Sequence, residues 1–198
     1  HNKIGDMRKA GENTTGALEA YQASLDIRKT LAERDPYNVE WQRDLSVSYE
    51  KIGDMHQAGG DTAGALEAHK AGFDIAQTLT TRDPRNVEWQ RDLSVSHNKI
   101  GDIRKAERDM AGALEAYLLG LDIRKTLAAR DPSSVQLQRD LIVSHIKIAE
   151  INPPQATKHF QTALEIARRL YETSRLSPVD HWIVADIETR LAAAASEV

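Results

Sequence analysis

The chain has 198 residues, of which 40% are hydrophobic and 28% are charged, and its formal net charge is −4. This composition is typical of a folded domain and excludes a disordered segment. Acidic and basic residues are interleaved, so no basic block indicates a nucleic-acid partner, and no apolar run reaches the length of a membrane span. Cysteine is absent, which excludes disulfides and thiol chemistry and favours a cytoplasmic location.

A repeat with a spacing of 48 residues runs through the chain. The sequence Lys-Ile-Gly-Asp begins at Lys3, Lys51 and Lys99, and a weaker copy begins at Lys147. The segments Gly-Ala-Leu-Glu-Ala, Arg-Asp-Pro and Trp-Gln-Arg-Asp-Leu recur in step with it. Repeats of this length are units of supersecondary structure that bury their apolar faces by stacking on one another.

The first helix of a complete repeat is predicted from about Val39 to Ala58. Asn38 precedes it as an N-cap residue, and Asn86 and Ser134 occupy the same position in the next two repeats. Apolar residues three and four positions apart then predict a helix with one buried stripe. The stripe consists of Trp41, Leu45, Tyr49, Ile52 and His56.

The second helix of the repeat begins after Asp61, for which Asn13 and Asp109 are the equivalent caps. It is predicted to end near Arg82, because Pro84 lacks an N–H group and disfavours the helical conformation in the residue before it. Its buried face is expected to carry Ala65, Leu66, His69, Phe73, Ala76 and Leu79.

The pattern weakens towards the end of the chain. An insertion containing Pro153 and Pro154 replaces the usual turn, and the fourth second helix is predicted from Gln155 to Thr173. A last helix, from about His181 to Ala195, is expected to cover the final apolar face. Its inward side chains are expected to be Trp182, Ile183, Ile187 and Leu191.

These elements predict an all-α protein: an α-solenoid, a right-handed superhelix of about four antiparallel helix hairpins with a C-terminal capping helix. We expect one domain over residues 1–198. Its repeats cover about 1–37 with a truncated first helix, 38–85, 86–133 and 134–176, and the capping helix covers about 178–196. His1 aligns with His97, in the middle of a first helix, so we expect the sequence to be a fragment of a larger protein.

The repeat resembles the tetratricopeptide repeat (TPR). The resemblance rests on Ile52-Gly53 in the first helix, Gly60-Asp61 at the turn, and the small residue Ala65 followed by an aromatic position in the second helix. The family unit has about 34 residues, so this is an extended variant, in which about two added turns per helix hold Trp41 and the Arg-Asp pairs. Similar long units occur in bacterial multidomain proteins, beside signalling or effector domains.

The resemblance implies that the first helices line a concave face that binds a protein or peptide. A lysine row and an acidic row, three residues apart, run along these helices. The candidate peptide-binding residues are Asn2, Lys3, Asp6, Glu50, Lys51, Asp54, Gln57, Asn98, Lys99, Asp102, Lys105 and Lys147. The alternative is that the two rows only pair with each other. A carboxylate clamp is disfavoured, because Asp6, Asp54 and Asp102 stand where that clamp has asparagine.

Other repeated residues have structural explanations. His1, His97 and His145 lie at equivalent positions of different repeats, at least one repeat apart, which is too far for a shared metal ion. His56 and His69 make only half a site. Trp41 and Trp89 are expected to pack in the core, with a binding hot spot as the minority interpretation. The Arg-Asp pairs that begin at Arg43, Arg91 and Arg139 are expected to contact neighbouring repeats or solvent.

No phosphate loop, nucleophile motif or zinc-protease motif is present, so we expect no enzyme activity, no cofactor and no metal. The leading hypothesis is a scaffold for protein–protein interaction that binds a protein or peptide, and neither nucleic acid nor membrane. One alternative is a regulatory or sensor segment of a larger signalling or effector protein. Another is a module that assembles with itself into an end-to-end homo-oligomer.

Overall fold

The computed structural model of the chain describes residues 14–196. This part contains eight α-helices, one 3-10 turn at Pro178–Asp180 and no strand, so the predicted all-α class is confirmed. The helices are α1 (Thr14–Arg34), α2 (Val39–Ala58), α3 (Thr62–Arg82), α4 (Val87–Ala106), α5 (Met110–Arg130), α6 (Val135–Ile151), α7 (Pro153–Glu172) and α8 (Trp182–Ser196).

The chain divides into two compact units, residues 1–108 and 109–198. In the described part of the first unit, α1 to α4 pack one after another, and α2 also touches α4. In the second unit, α5 to α8 pack in the same successive way. Successive antiparallel pairs are the arrangement of a helical solenoid, as the repeat spacing predicts. Here α2, α4 and α6 are first helices of a repeat, and α1, α3, α5 and α7 are second helices.

The first helices begin where the sequence places them. The side chain of Asn38 accepts a hydrogen bond from the backbone N–H of Trp41 at 3.1 Å, and Asn86 accepts one from Trp89 at the same distance. Ser134 caps α6 in the same way. Each cap satisfies one of the backbone N–H groups that have no partner within the helix.

The second helices are capped by aspartate. Asp61 accepts from the N–H of Gly64 at 2.9 Å, and Asp109 accepts from Gly112 at 2.9 Å. Helix α3 ends at Arg82, as predicted from the following proline. The third predicted cap, Asn13, lies outside the described residues.

Each unit has its own buried cluster. In the first unit Leu45 and Ile52 of the predicted stripe are buried, whereas Trp41, Tyr49 and His56 are half-buried. The cluster of this unit consists of Ala17, Tyr21, Leu25, Ala32, Leu45, Ile52, Met55 and Ala68. The cluster of the second unit extends from Ala113 to Ile187 and is centred on Tyr117, Leu127, Ile142, Ile148, Phe160 and Ala163.

Two expectations about the end of the chain were wrong. Trp182 is 61% exposed, because it lies five residues before Ile187 and therefore about 140° around the helix from it. The inward stripe consists of Ile183, Ile187 and Leu191, spaced by four. Helix α7 begins at Pro153 and not at Gln155, since prolines are tolerated in the first turn, where their missing N–H groups have no partner to lose.

The turns after α2 and α4 share one backbone conformation but have different residues. Gly60 has φ +80°, and Arg108, its equivalent one repeat later, has φ +65°. Both N–H groups make the same type of turn bond, to Gln57 and Lys105 respectively. Only glycine adopts this left-handed conformation without a steric penalty.

We therefore expect Arg108→Gly to raise the free energy of unfolding by about 0.5–1 kcal/mol, because it relieves the positive φ. Gly60→Ala is the matched opposite change and should lower that free energy by about 1 kcal/mol. Urea denaturation followed by circular dichroism measures both. A destabilised Arg108→Gly protein would contradict the prediction.

Candidate functional site

The candidate site lies where the two first helices of the first unit, α2 and α4, meet. Lys99 Nζ of α4 donates a hydrogen bond to Asp54 Oδ1 of α2 at 2.6 Å. Both side chains are about a quarter exposed. The pair links the lysine row of one repeat to the acidic row of the repeat before it, 45 residues away. The rows therefore pair between repeats at this position.

His69 lies beneath this ion pair. It belongs to α3, is 1% exposed, and neither of its ring nitrogens has a hydrogen-bond partner within residues 14–196. Its Nε2 is 3.6 Å from Asp54 Oδ1, which is too long for a hydrogen bond. Burial lowers the pKa of His69, and the nearby charge of Asp54 opposes this shift. The imidazole is therefore held in its neutral form.

The ring of His69 reaches this position because Gly53 has no side chain. A Cβ atom at Gly53 would lie 2.6 Å from His69 Cε1, inside the contact distance of real Cβ atoms. Any larger residue at this position would displace the ring or separate α2 from α3. The glycine of the Ile-Gly pair thus has a packing role, and it determines where the imidazole lies.

Glu50 is a further titratable residue near Asp54 and His69. Its carboxylate is half-buried and makes no hydrogen bond or ion pair within the described part of the chain. Burial raises its pKa from 4.5 to about 7, with Asp92 and Asp54 adding to the shift and Lys99 and Lys51 opposing it. We call Glu50, Asp54, His69 and Lys99 the Asp54 cluster.

The other sequence candidates are distributed more widely. Lys51 and Gln57 are half-buried on α2, and Asp102 and Lys105 are half-buried on α4. The charge of Asp102 opposes the lowering of the His69 pKa by burial. Asn98 is 4% exposed and presents little surface. Lys147 belongs to the second unit, where its ammonium lies 5.5 Å from the centre of the Tyr117 ring. Asn2, Lys3 and Asp6 lie outside the described residues.

A second set of ion pairs joins α2 to α4 near their N-terminal ends. Arg43 Nε donates to Asp92 Oδ2 at 2.6 Å, and Arg43 Nη1 donates to Glu88 Oε2 at 2.6 Å. This hydrogen bond to Asp92 is the main reason that the pKa of Arg43 is raised. The expectation that this arginine contacts the neighbouring repeat is confirmed.

The second unit holds its helices with similar pairs. Arg139 of α6 pairs with Asp180 in the 3-10 turn at 2.7 Å. Arg190 of α8 donates a hydrogen bond to Glu150 of α6 at 2.7 Å. Glu150 lies towards the C-terminal end of its first helix, as Asp54 does in the first unit. Within the described residues, each unit therefore carries at least one cross-linking ion pair towards each end of a first helix.

The histidines that the structure describes do not come together as a metal site. Within residues 14–196, no three histidine, aspartate, glutamate or cysteine side chains lie close enough together to hold a metal ion. His97 packs edge-on against Phe73, with ring centres 5.0 Å apart. His145 of α6 and His159 of α7 are both buried, and their Nδ1 atoms are 2.9 Å apart, so one ring donates to the other.

Sequence reasoning missed two features. It predicted correctly that His69 is a core histidine, which is 1% exposed, but it did not place His69 beneath the ion pair of Asp54 and Lys99. The available signal was that His69 replaces Tyr21 and Tyr117 of the neighbouring repeats. It also missed His159, which the repeat pattern could not indicate, since the insertion at Pro153 shifts its register.

No helix in the described part of the chain is long and apolar enough to cross a membrane.

No protein-family model matches the sequence, and no curated protein matches it either. Solved structures do match. The yeast histone chaperone Hif1, described as a scaffold protein recruiting protein complexes to core histones, aligns over 98% of this chain and 92% of its own with a TM-score of 0.55 and 12% identity. This likeness identifies the class: the chain has the fold of a TPR-like helical-repeat protein.

Two further structures are similar over most of their length. BtubC (BKLC) from P. vanneervenii has 15% identity and a TM-score of 0.48, over 90% of this chain and 82% of its own. MamA has 17% identity and a TM-score of 0.37, over 98% and 93%. The present chain combines a 48-residue sequence spacing with the Asp54 cluster.

The raised pKa of Glu50 predicts a pH-dependent stability. Between pH 4.5 and about 7 the folded chain holds a proton that the unfolded chain releases, so this residue destabilises the fold as the pH rises through that interval. We expect Glu50→Gln to be about 1–2 kcal/mol more stable than the wild type at pH 8 and equally stable at pH 4. Urea denaturation at both pH values measures this difference.

Glu67→Gln is the matched control, because Glu67 is exposed on α3. It should change the stability little at either pH. Equal effects of Glu50→Gln at pH 4 and pH 8 would contradict the assignment of this titration to Glu50.

The pair of His145 and His159 predicts the opposite dependence. Burial lowers the pKa of His145 to about 4, with the charge of His159 adding to the shift, and burial lowers the pKa of His159. Since the unfolded chain takes up protons below pH 6.5 that the folded pair excludes, stability is lost as the pH falls from 6.5 towards 4.

Between pH 7 and pH 5, we expect the free energy of unfolding of the double variant His145→Gln plus His159→Gln to fall by about 2 kcal/mol less than that of the wild type, whatever its value at pH 7. The exposed His181 provides the control substitution, His181→Gln. Calorimetric melting at pH 7 and pH 5 measures the difference. An unchanged pH dependence in the double variant would show that the pair does not titrate as described.

Proposed function

We propose that this chain is a protein-interaction scaffold that binds a protein or peptide at the face where α2 and α4 meet. The observation that carries the proposal is the Asp54 cluster. There the half-buried Glu50 lies near the ion pair of Lys99 and Asp54 but makes no hydrogen bond or ion pair of its own within the described residues. Leaving a half-buried carboxylate unpaired costs stability, which a ligand that supplies a partner would recover.

The fold supports the same function. A helical solenoid presents successive first helices side by side, so a bound segment can contact equivalent positions of several repeats. Hif1, which shares the fold, is described as a scaffold protein. The described residues contain no metal-binding group, and the sequence contains no catalytic motif. These observations favour binding over catalysis.

The proposal includes the repeat organisation. We infer that the unit of recognition is the 48-residue repeat, an extended TPR variant, with repeats at 38–85, 86–133 and 134–176. In the first unit the repeats then contribute Lys51 with Asp54 and Lys99 with Asp102 to the binding face. Such a face suits a segment that carries charges of both signs, because each charge of the ligand meets an opposite charge within one turn of helix.

The test is selection of ligands from a phage-displayed library of random dodecapeptides, panned on the full chain, followed by calorimetry. For peptides with charges of both signs, we expect Lys51→Glu plus Lys99→Glu to weaken binding by about tenfold, since acidic groups of the peptide lose two lysine partners. The control is Lys29→Glu plus Lys70→Glu, which makes the same charge change at exposed lysines of the second helices α1 and α3.

Unchanged affinity of the first double variant would reject this face as the binding surface. A library that yields no specific binder would count against the scaffold function itself.

A further inference from the structure

The repeat of 38–85 departs from its neighbours at several titratable positions, and two of these concern the candidate site. Glu50 stands where the adjacent repeats have Asn2 and Asn98, and His69 stands where they have tyrosine. Residues that serve only the stacking of repeats recur at each interval, as the buried Ala17, Ala65 and Ala113 do. Both departures lie beside one residue, Asp54. Two unique groups at a single place indicate a role that is specific to this repeat.

These groups share one chemical property, since each offers a hydrogen-bond acceptor. Glu50 and Asp54 are carboxylates, and the neutral ring of His69 keeps one nitrogen as an acceptor. The ring is almost completely buried and has no hydrogen-bond partner among residues 14–196, and its Nε2 lies 3.6 Å from the Asp54 carboxylate. The ammonium of Lys99 is held at this carboxylate at 2.6 Å, so a cation already fits the place. A ligand rich in donors complements such a set.

We propose that the Asp54 cluster receives a cationic side chain of a partner peptide, an arginine or a lysine, which binds between the carboxylates of Glu50 and Asp54. This inference rests on the proposed function, because it names the chemistry of the partner at the same face. Arginine suits the site better than lysine. Its guanidinium has five N–H donors, no acceptor, and a planar shape that contacts two carboxylates at once.

Binding of a cation at Glu50 also removes a proton from the complex. The charged groups around Glu50 are Lys51 and Asp54 on its own helix, and Asp92 and Lys99 on α4. The charges of Asp54 and Asp102 oppose the lowering of the His69 pKa by burial. Because burial keeps part of Glu50 protonated near neutral pH, and a guanidinium pairs only with the ionised carboxylate, binding should tighten as the pH rises from 6 to 8.

The experiment uses the full 198-residue chain and two small probes. Acetyl-Ala-Arg-Ala-amide supplies the guanidinium, and acetyl-Ala-citrulline-Ala-amide has the same shape without the charge. Amide chemical shifts of the ¹⁵N-labelled protein follow both titrations. We expect millimolar affinity for the arginine probe, about tenfold weaker binding of the citrulline probe, and a tightening of about threefold between pH 6 and pH 8.

The variant Glu50→Gln should bind the arginine probe about fivefold more weakly and lose the pH dependence, whereas Glu67→Gln should bind it like the wild type. The amide spectra of both variants report whether they are folded. Equal binding of the two probes, wild-type binding by Glu50→Gln, or no shift with the arginine probe would each overturn the cation site. The library selection judges the scaffold function separately, since binders insensitive to Glu50→Gln would leave that function standing.

Discussion

The absence of a side chain at Gly53 is the constraint on which the site depends. Because the ring of His69 occupies the space that a Cβ atom would need, α2 and α3 approach each other closely, and the imidazole lies under the acidic row. The same approach fixes Asp54 opposite α4, where Lys99 reaches it. A packing requirement in the core of one hairpin thus determines the arrangement of charges on the surface of the next.

The sequence predicted the helices well because their signals are local. Caps such as Asn38 and Asp61, and the proline after Arg82, act within one turn of the residues that they affect. The prediction for Trp182 was wrong because no equivalent position in another repeat indicates which way it faces. Its spacing to Ile187 places it on another face of α8.

The site was predictable only in part. The rows of Lys99 and Asp54 were visible in the repeat, but their pairing joins residues 45 positions apart and depends on how two first helices pack. The contact between His145 and His159 depends in the same way on the packing of α6 against α7. Glu50 was among the candidates, whereas its burial, which raises its pKa to about 7, depends on tertiary packing that no spacing reveals.

The likeness to Hif1 at 12% identity shows how few positions this fold needs. Ala17, Ala65, Ala113 and Ala163 are 0% exposed, and each lies at the point where a second helix meets its neighbours. Small residues at such points let helix axes approach closely, while the remaining apolar positions accept any side chain of suitable volume. Residues outside these points, such as Glu50, can then vary without changing the fold.

The ion pairs between α2 and α4 are reciprocal: Arg43 of the earlier helix donates to Asp92 of the later one, and Lys99 of the later helix donates to Asp54 of the earlier one. The junction between α2 and α4 therefore has a fixed polarity. A duplicated 48-residue segment would carry the equivalents of all four residues, so it would bring both the donors and the acceptors of a new junction. Growth of such an array by tandem duplication of coding sequence needs no compensating change at the new junction.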